Sequence, residues 1–159
     1  MKLIPCLCML LSVCSCNQQQ TKGSNVEYKN GQIKRMIEGF IQSTKASTPT
    51  KVITVDLKNQ SDTSVVSIAN SYPDLRSVKF IVSDTLSGCK IYFVGETNND
   101  IYQIQQAEKV PEEVAEVNKR LLDKNSPPPA FDPQQWTFYF KDSLLIEFTP
   151  KEEIDKYLK

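Results

Sequence analysis

The clearest pattern in the chain is a helical stripe of apolar residues between positions 33 and 44. Its members are spaced i, i+3, i+4, i+7, i+8 and i+11, so they fall on one continuous helix face. Asn30 suits the N-cap, and Ser47-Thr48-Pro49 ends the element. We expect the stripe to face the core, with a partner's groove as the alternative. The stripe consists of Ile33, Met36, Ile37, Phe40, Ile41 and Thr44.

Five short stretches with the alternating pattern of half-buried strands follow this helix. In the first, apolar Ile53, Val55 and Leu57 alternate with polar residues. Segments rich in Asn, Asp, Ser and Gly separate the stretches and predict turns. The third and fourth stretches are expected to form a hairpin around residues 84–88. The predicted strands are residues 53–58, 63–69, 77–83, 89–94 and 101–104.

A second helix is expected to begin near Val110. Pro111 fits its first turn, and Glu112 and Glu113 suit the positive end of its dipole. Its predicted buried face consists of Val114, Val117 and Leu121.

Prolines mark residues 126–133, which favour a stiff polyproline-like arm over a helix or a central strand. Residues 136–140 and 144–148 then alternate again and predict a second hairpin. A last helix is expected to start with a capping box formed by Thr149, Pro150 and Glu152.

This order of elements predicts an α+β fold. We expect an antiparallel β-sheet of about five to seven strands, with two or three helices packed mainly on one face. The connections look too short for the long crossovers of a parallel sheet. Residues 30–159 are expected to form this single domain.

The amino-terminal sixteen residues, MKLIPCLCMLLSVCSC, differ from the rest of the chain. Lys2 precedes an apolar run of the length expected for a secretory signal, and too short to span a bilayer. Val13-Cys14-Ser15-Cys16 then resembles the lipobox of bacterial lipoproteins. The resemblance implies that residues 1–15 are removed and that Cys16 carries the lipid. A buried amino-terminal helix is the alternative.

Residues 16–29 turn abruptly polar and are expected to form a flexible tether from the lipidated Cys16. Two or more acyl chains make membrane attachment stable without a transmembrane helix. Asn17 is not the aspartate that retains lipoproteins at the inner membrane of enteric bacteria. The tether also lacks the acidic cluster that marks surface export in Bacteroidetes. We therefore expect a cell-envelope protein at the outer membrane, facing the periplasm.

Composition excludes several classes of chemistry. The 159 residues include 19 basic and 19 acidic side chains, so no electrostatic footprint for nucleic acid is expected. Histidine is absent, which removes Ser-His-Asp and Cys-His catalysis and histidine-based metal sites. We expect no cofactor, no metal and no catalytic residue. Cys89 is the only cysteine in the predicted folded domain, so an internal disulfide is excluded.

Three acidic segments are candidate sites. Residues 96–100 alternate oxygen side chains as a calcium loop does, but Ala107 stands where the last ligand should fall, so a plain turn is favoured. Carboxylates also cluster at two helix starts, where the helix dipole explains them. A hydrolase would need such acids to face each other across a cleft. These carboxylates are Glu112, Glu113, Glu116, Glu152, Glu153 and Asp155.

Phe131, Trp136 and Tyr139 are the candidate partner surface, because aromatic side chains beside a rigid arm make good contact area. The alternative is that Phe131 and Trp136 fasten the arm to the sheet.

Asp84-Thr85-Leu86 and Asp142-Ser143-Leu144 each resemble the three-residue O-glycosylation motif of exported Bacteroidetes proteins. The resemblance implies glycans on Thr85 and Ser143, both expected on hairpin turns. Ordinary turn chemistry explains the same residues.

Three functions remain open. The first is a lipid-anchored, non-catalytic binding module of inhibitor, immunity or ligand-binding type, held at the membrane and facing a protein or small-ligand partner. The second is a structural or assembly accessory of an envelope complex, which should expose an apolar patch and self-associate. The third is a carboxylate-based hydrolase.

Overall fold

The computed structural model describes residues 26–29, 31–44, 51–76, 81–95, 103–104, 109–123 and 133–157. These residues form a six-stranded sheet, a two-stranded sheet and three helices, which confirms the α+β class. The helices are α1 (Gly31–Thr44), α2 (Glu112–Leu122) and α3 (Lys151–Ile154). The strands are β1 (Val26–Glu27), β2 (Val52–Gln60), β3 (Thr63–Ala69), β4 (Ile81–Leu86), β5 (Cys89–Gly95), β6 (Gln103–Ile104), β7 (Gln135–Lys141) and β8 (Leu144–Thr149).

Helix α1 follows the sequence pattern closely. All six residues of its predicted stripe are buried, and five of them join the main hydrophobic core. The stripe forms because these residues lie on one side of a 3.6-residue repeat, where they pack against the sheet.

The large sheet has the strand order β4-β5-β2-β3-β7-β8 and contains three hairpins. Two-residue turns close them at Ser61-Asp62, Ser87-Gly88 and Asp142-Ser143. Both central residues have positive φ at Ser87-Gly88 (52° and 79°) and at Asp142-Ser143 (49° and 64°). Such turns match the right-handed twist of the paired strands.

One pairing differs from the expected antiparallel sheet. Strands β2 and β5 pair in parallel, with Ile53 opposite Ile91 and Val55 opposite Phe93, so the sheet is mixed. The strand order places β4, which follows β3 in the chain, at the far edge of the sheet beyond β2 and β5. The β4–β5 hairpin, placed beyond β2, therefore supplies the parallel neighbour.

The sheet has two unequal faces, which we name by their helices. The α1 face carries the main core, to which α1 and Ile154 of α3 contribute. The α2 face carries a smaller cluster in which Val114 of α2 meets residues of β4 and β5. Two of the three helices thus share one face, as expected. The smaller cluster consists of Ile81, Tyr92, Val94 and Val114, with Val52, Tyr72 and Leu75 against it.

The predicted tether extends too far. Residues 26–29 belong to the fold, because β1 pairs with β6 and Val26 is buried in the main core. Tyr28 packs edge-on against Phe93, with 6.0 Å between the ring centroids. The domain therefore includes Val26, four residues before the predicted boundary at Asn30.

Two helix details also need correction. In α2, Leu121 is 56% exposed, whereas Asn118 is buried in its place and donates a hydrogen bond to Pro73 O at 2.8 Å. In α3, Pro150 takes the N-cap position and no side chain caps the helix, so the predicted capping box does not form. Pro150 supplies no side-chain acceptor, which explains the missing cap bond.

Several predictions fall outside the described residues. They concern Cys16 and the signal, Asn30, the loop at residues 96–100, and the arm with Phe131.

Candidate binding groove

One side of α1 builds the first wall of a groove on the α1 face. Gln32, Arg35, Met36, Gly39 and Gln42 share this side because they are spaced by three or four residues. Gly39 carries no side chain, so the helix surface is cut back at the middle of this wall. A central helix glycine costs about 1 kcal/mol relative to alanine, which makes its position notable.

The floor comes from a β-bulge in the edge strand β8. Phe140 pairs with Leu145 and Tyr139 pairs with Glu147, so Ile146 is the extra residue. Leu145 and Phe148, three positions apart, consequently lie on the same face of the sheet. Both contact the main core with part of their surface and line the groove with the rest.

The segment that follows β8 closes the far side. Ile154 is buried and fixes α3 to the core. The Tyr157 ring lies 5.8 Å from the Trp136 ring, measured between centroids, and forms a wall of the groove. Asp155, between these two anchors, also lines it.

The resulting cavity has a volume of about 470 Å³ and is partly open to solvent. Pockets for small ligands and peptide side chains commonly have this size, with an apolar base and a few polar groups. Here the base is apolar and the rim is charged or amidic. The lining residues are Gln32, Arg35, Met36, Glu38, Gly39, Gln42, Leu145, Phe148, Asp155 and Tyr157.

Three charged side chains stand on the rim, namely Arg35, Glu38 and Asp155. Within the part of the chain that the structure describes, none of them forms an ion pair. Their charges therefore remain available to a ligand, and they sum to minus one.

A second polar cluster lies on the α2 face. Lys90 and Tyr92 of β5 both donate hydrogen bonds to Oε1 of Glu113 in the first turn of α2. The Lys90 ammonium also lies 5.4 Å from the centroid of the Tyr92 ring. This cluster fastens the start of α2 to the sheet.

Protonation in this cluster follows from its contacts. The hydrogen bond from Lys90 and then the one from Tyr92 lower the pKa of Glu113 below 4.5. Burial and the hydrogen bond to Glu113 raise the pKa of Tyr92 to about 12. The bond to Glu113 also raises the pKa of Lys90. A general acid needs a raised carboxyl pKa, so Glu113 suits a structural counter-ion better than a proton donor.

The predicted aromatic surface is not formed as expected. Trp136 is 1% exposed and packs edge-on against Phe40, with 5.3 Å between centroids. Tyr139 lies on the opposite face of β7, because residues three apart in a strand point to opposite sides. Phe131 lies outside the described residues. Trp136 is therefore a core residue, and its assignment to a partner surface was wrong.

The two candidate glycosylation residues occupy different positions. Ser143 lies in the β7–β8 turn as predicted, but Thr85 lies in strand β4, because the turn there contains only Ser87 and Gly88. Thr85 is exposed and Ser143 is half-buried.

Possible metal ligands and membrane-spanning helices also bear on the site. Among the described residues, no group of three His, Cys, Asp or Glu side chains is arranged to hold a metal ion. No helix in the described ranges is long and apolar enough to cross a membrane.

The groove residues were missed at the sequence level. The only signal was Gly39, a poor helix former in the middle of the predicted helix. Leu145, Phe148, Asp155 and Tyr157 come from β8 and the segment after it, more than a hundred positions away, so only the fold brings them to α1. Comparison with protein-family models, with curated proteins and with solved structures found no match.

Proposed function

We propose that this protein is a lipid-anchored component of the cell envelope that acts as a non-catalytic binding module. Cys16 carries the lipid, and the domain faces the periplasm from the outer membrane. Inhibition of a partner, immunity against one, or capture of a ligand all need a binding surface and no catalytic group.

The observation that supports this proposal best is the groove beside α1. It combines an apolar base with three charged side chains that have no ion-pair partner among the described residues. Unpaired charges around an apolar base provide both affinity and orientation for a bound group.

Cross-linked pull-down from the native envelope tests this proposal. The bait is the full-length protein, and Cys16→Ala is the control that removes the lipid. A specific component recovered in near-equal amount with the anchored bait supports a binding role. Recovery of membrane-bound bait alone contradicts a protein partner and leaves a small ligand as the bound group.

An assembly role is the second candidate, and the edge strand β8 favours it. Leu144 is 70% exposed and Ile146 is 58% exposed, on a strand with no neighbour on its outer side among the described residues. Exposed apolar edges promote association. Sedimentation of the wild type and of the Ile146→Lys variant tests the assembly role. Self-association of the wild type that the lysine abolishes supports assembly. A wild type that is monomeric at all concentrations rejects it.

A further inference from the structure

The shape and the apolar surface of the groove favour one kind of bound group, a large apolar side chain. Gly39 in α1 and Phe148 in β8 face the same cavity, where the glycine leaves room at the wall and the phenyl ring supplies an apolar surface. A volume of about 470 Å³ exceeds what one bound water needs and fits a large side chain with part of its backbone.

The rim adds a charge preference. Glu38 and Asp155 supply two negative charges, and Arg35 supplies one positive charge. A cationic group on the ligand therefore finds net attraction, because opposite charges across an interface steer and orient binding. Arg35 and Gln42 can donate hydrogen bonds, which suits the carbonyl oxygens of a peptide backbone.

We propose that the groove binds a peptide segment of a partner protein, and that this segment presents one large apolar side chain next to a lysine or arginine. The apolar side chain lies between Gly39 and Phe148, and the cation faces Glu38 and Asp155. This inference rests on the proposed binding function and names its site and partner class.

Two variants test the two parts of the site. Gly39→Leu places a side chain in the cavity and should block the apolar group. Glu38→Lys combined with Asp155→Lys reverses the rim charge and should repel the cation. Glu112→Lys is the control for a charge reversal away from the groove, because it turns one carboxylate into an ammonium on α2, which packs on the opposite face of the sheet.

The probe is a displayed library of random dodecapeptides, selected on the full-length protein in detergent micelles. We expect enriched sequences with a large apolar residue next to Lys or Arg. We also expect the double charge variant and Gly39→Leu each to bind them at least about tenfold more weakly, a loss of about 1.4 kcal/mol. Glu112→Lys should bind as the wild type does, and far-ultraviolet circular dichroism should confirm that each variant is folded.

Enrichment of acidic sequences, or equal binding by both groove variants, overturns the peptide proposal, and so does a lack of any enrichment. The envelope pull-down separates this failure from failure of the binding function. If the wild type and both groove variants recover the same component equally, the protein is a binder that uses another surface. If the wild type recovers nothing, the binding of a protein partner is itself wrong.

Discussion

Asn118 shows how one polar residue can fix the position of a helix. Its amide group donates to Pro73 O and to Val114 O, and its carbonyl accepts from the backbone N–H of Leu75 at 2.9 Å. The side chain is buried, so these bonds satisfy groups that would otherwise be costly to bury. They join α2 to the loop that crosses the α2 face after β3.

Replacing Asn118 with Ala should lower the free energy of unfolding by about 2 kcal/mol, because the loop loses its buried hydrogen-bond partner. Urea denaturation measures the change. Lys119→Ala, at an exposed neighbouring position, serves as the control and should change stability by less than about 0.5 kcal/mol. Equal effects of the two substitutions would show that Asn118 has no special role.

Glu113 should make stability depend on pH at the acid end. Its pKa is lower in the folded protein than the ordinary value of 4.5. The stabilisation is therefore complete above about pH 4.5 and is lost as the pH falls through the folded pKa. Tyr92, with a pKa raised to about 12, and Lys90, with a raised pKa, stabilise at lower pH and lose their contribution as the pH rises above 10.

Thermal or urea unfolding of the wild type and Glu113→Gln checks the acid limb. The difference in unfolding free energy between them should shrink between about pH 6 and about pH 3. Glu112→Gln is the control, since Glu112 is exposed and forms no ion pair with the described residues. A constant difference for Glu113→Gln across this range would rule out the proposed linkage.

Thr85 and Ser143 carry the glycosylation hypothesis. If both residues are modified in the native host, the intact mass should exceed that of polypeptide plus lipid. The excess should fall stepwise in Thr85→Ala and Ser143→Ala. A wild-type mass equal to polypeptide plus lipid rejects the hypothesis, whatever the function of the groove.

Among the elements, the close approach of β5 to β2 depends on Gly95. This residue has φ +99°, and a Cβ atom there would lie 2.0 Å from Leu57 O in the backbone of β2. Gly88, in the β4–β5 turn, also has positive φ (+79°), but nothing lies within 4 Å of its would-be Cβ. A substitution at Gly88 therefore meets backbone strain alone, whereas a substitution at Gly95 meets backbone strain and a steric clash.

Gly88→Ala should cost about 1 kcal/mol, the penalty for a side chain at positive φ. Gly95→Ala should cost clearly more, at least about 3 kcal/mol, because backbone atoms of β2 must also move. Chemical denaturation compares the two variants directly. Equal losses would mean that β2 and β5 do not approach as closely as described.

The sequence predicted the secondary-structure elements better than it predicted which elements contact each other. The α1 stripe, the turn between β2 and β3, and the β4–β5 and β7–β8 hairpins follow from local periodicity and turn residues, which act over a few positions. The parallel β2–β5 pair and the exposure of Leu121 depend on contacts made far along the chain. Asn118, for example, meets a loop more than forty residues before it, and no local pattern indicates that partner.

At the scale of the whole molecule, the groove combines a helix, a bulged edge strand and the segment after it. Gly39 alone hinted at it in the sequence, because the faces of α1 and β8 meet only after folding. The opposite face holds α2 through Asn118 and through the Lys90–Tyr92–Glu113 cluster. In our proposal the α1 face binds the partner, whereas the α2 face holds helix α2 against the sheet.

Quantitative cross-linked pull-down from the native envelope tests most directly whether this protein binds a partner through the groove. The baits are the wild type, Glu38→Lys/Asp155→Lys and Glu112→Lys, all with Cys16 intact. We predict one component in near-equal amount with the wild type and with Glu112→Lys, and at least about tenfold less with the double variant. Absence of any such component with the wild-type bait would contradict the binding of a protein partner.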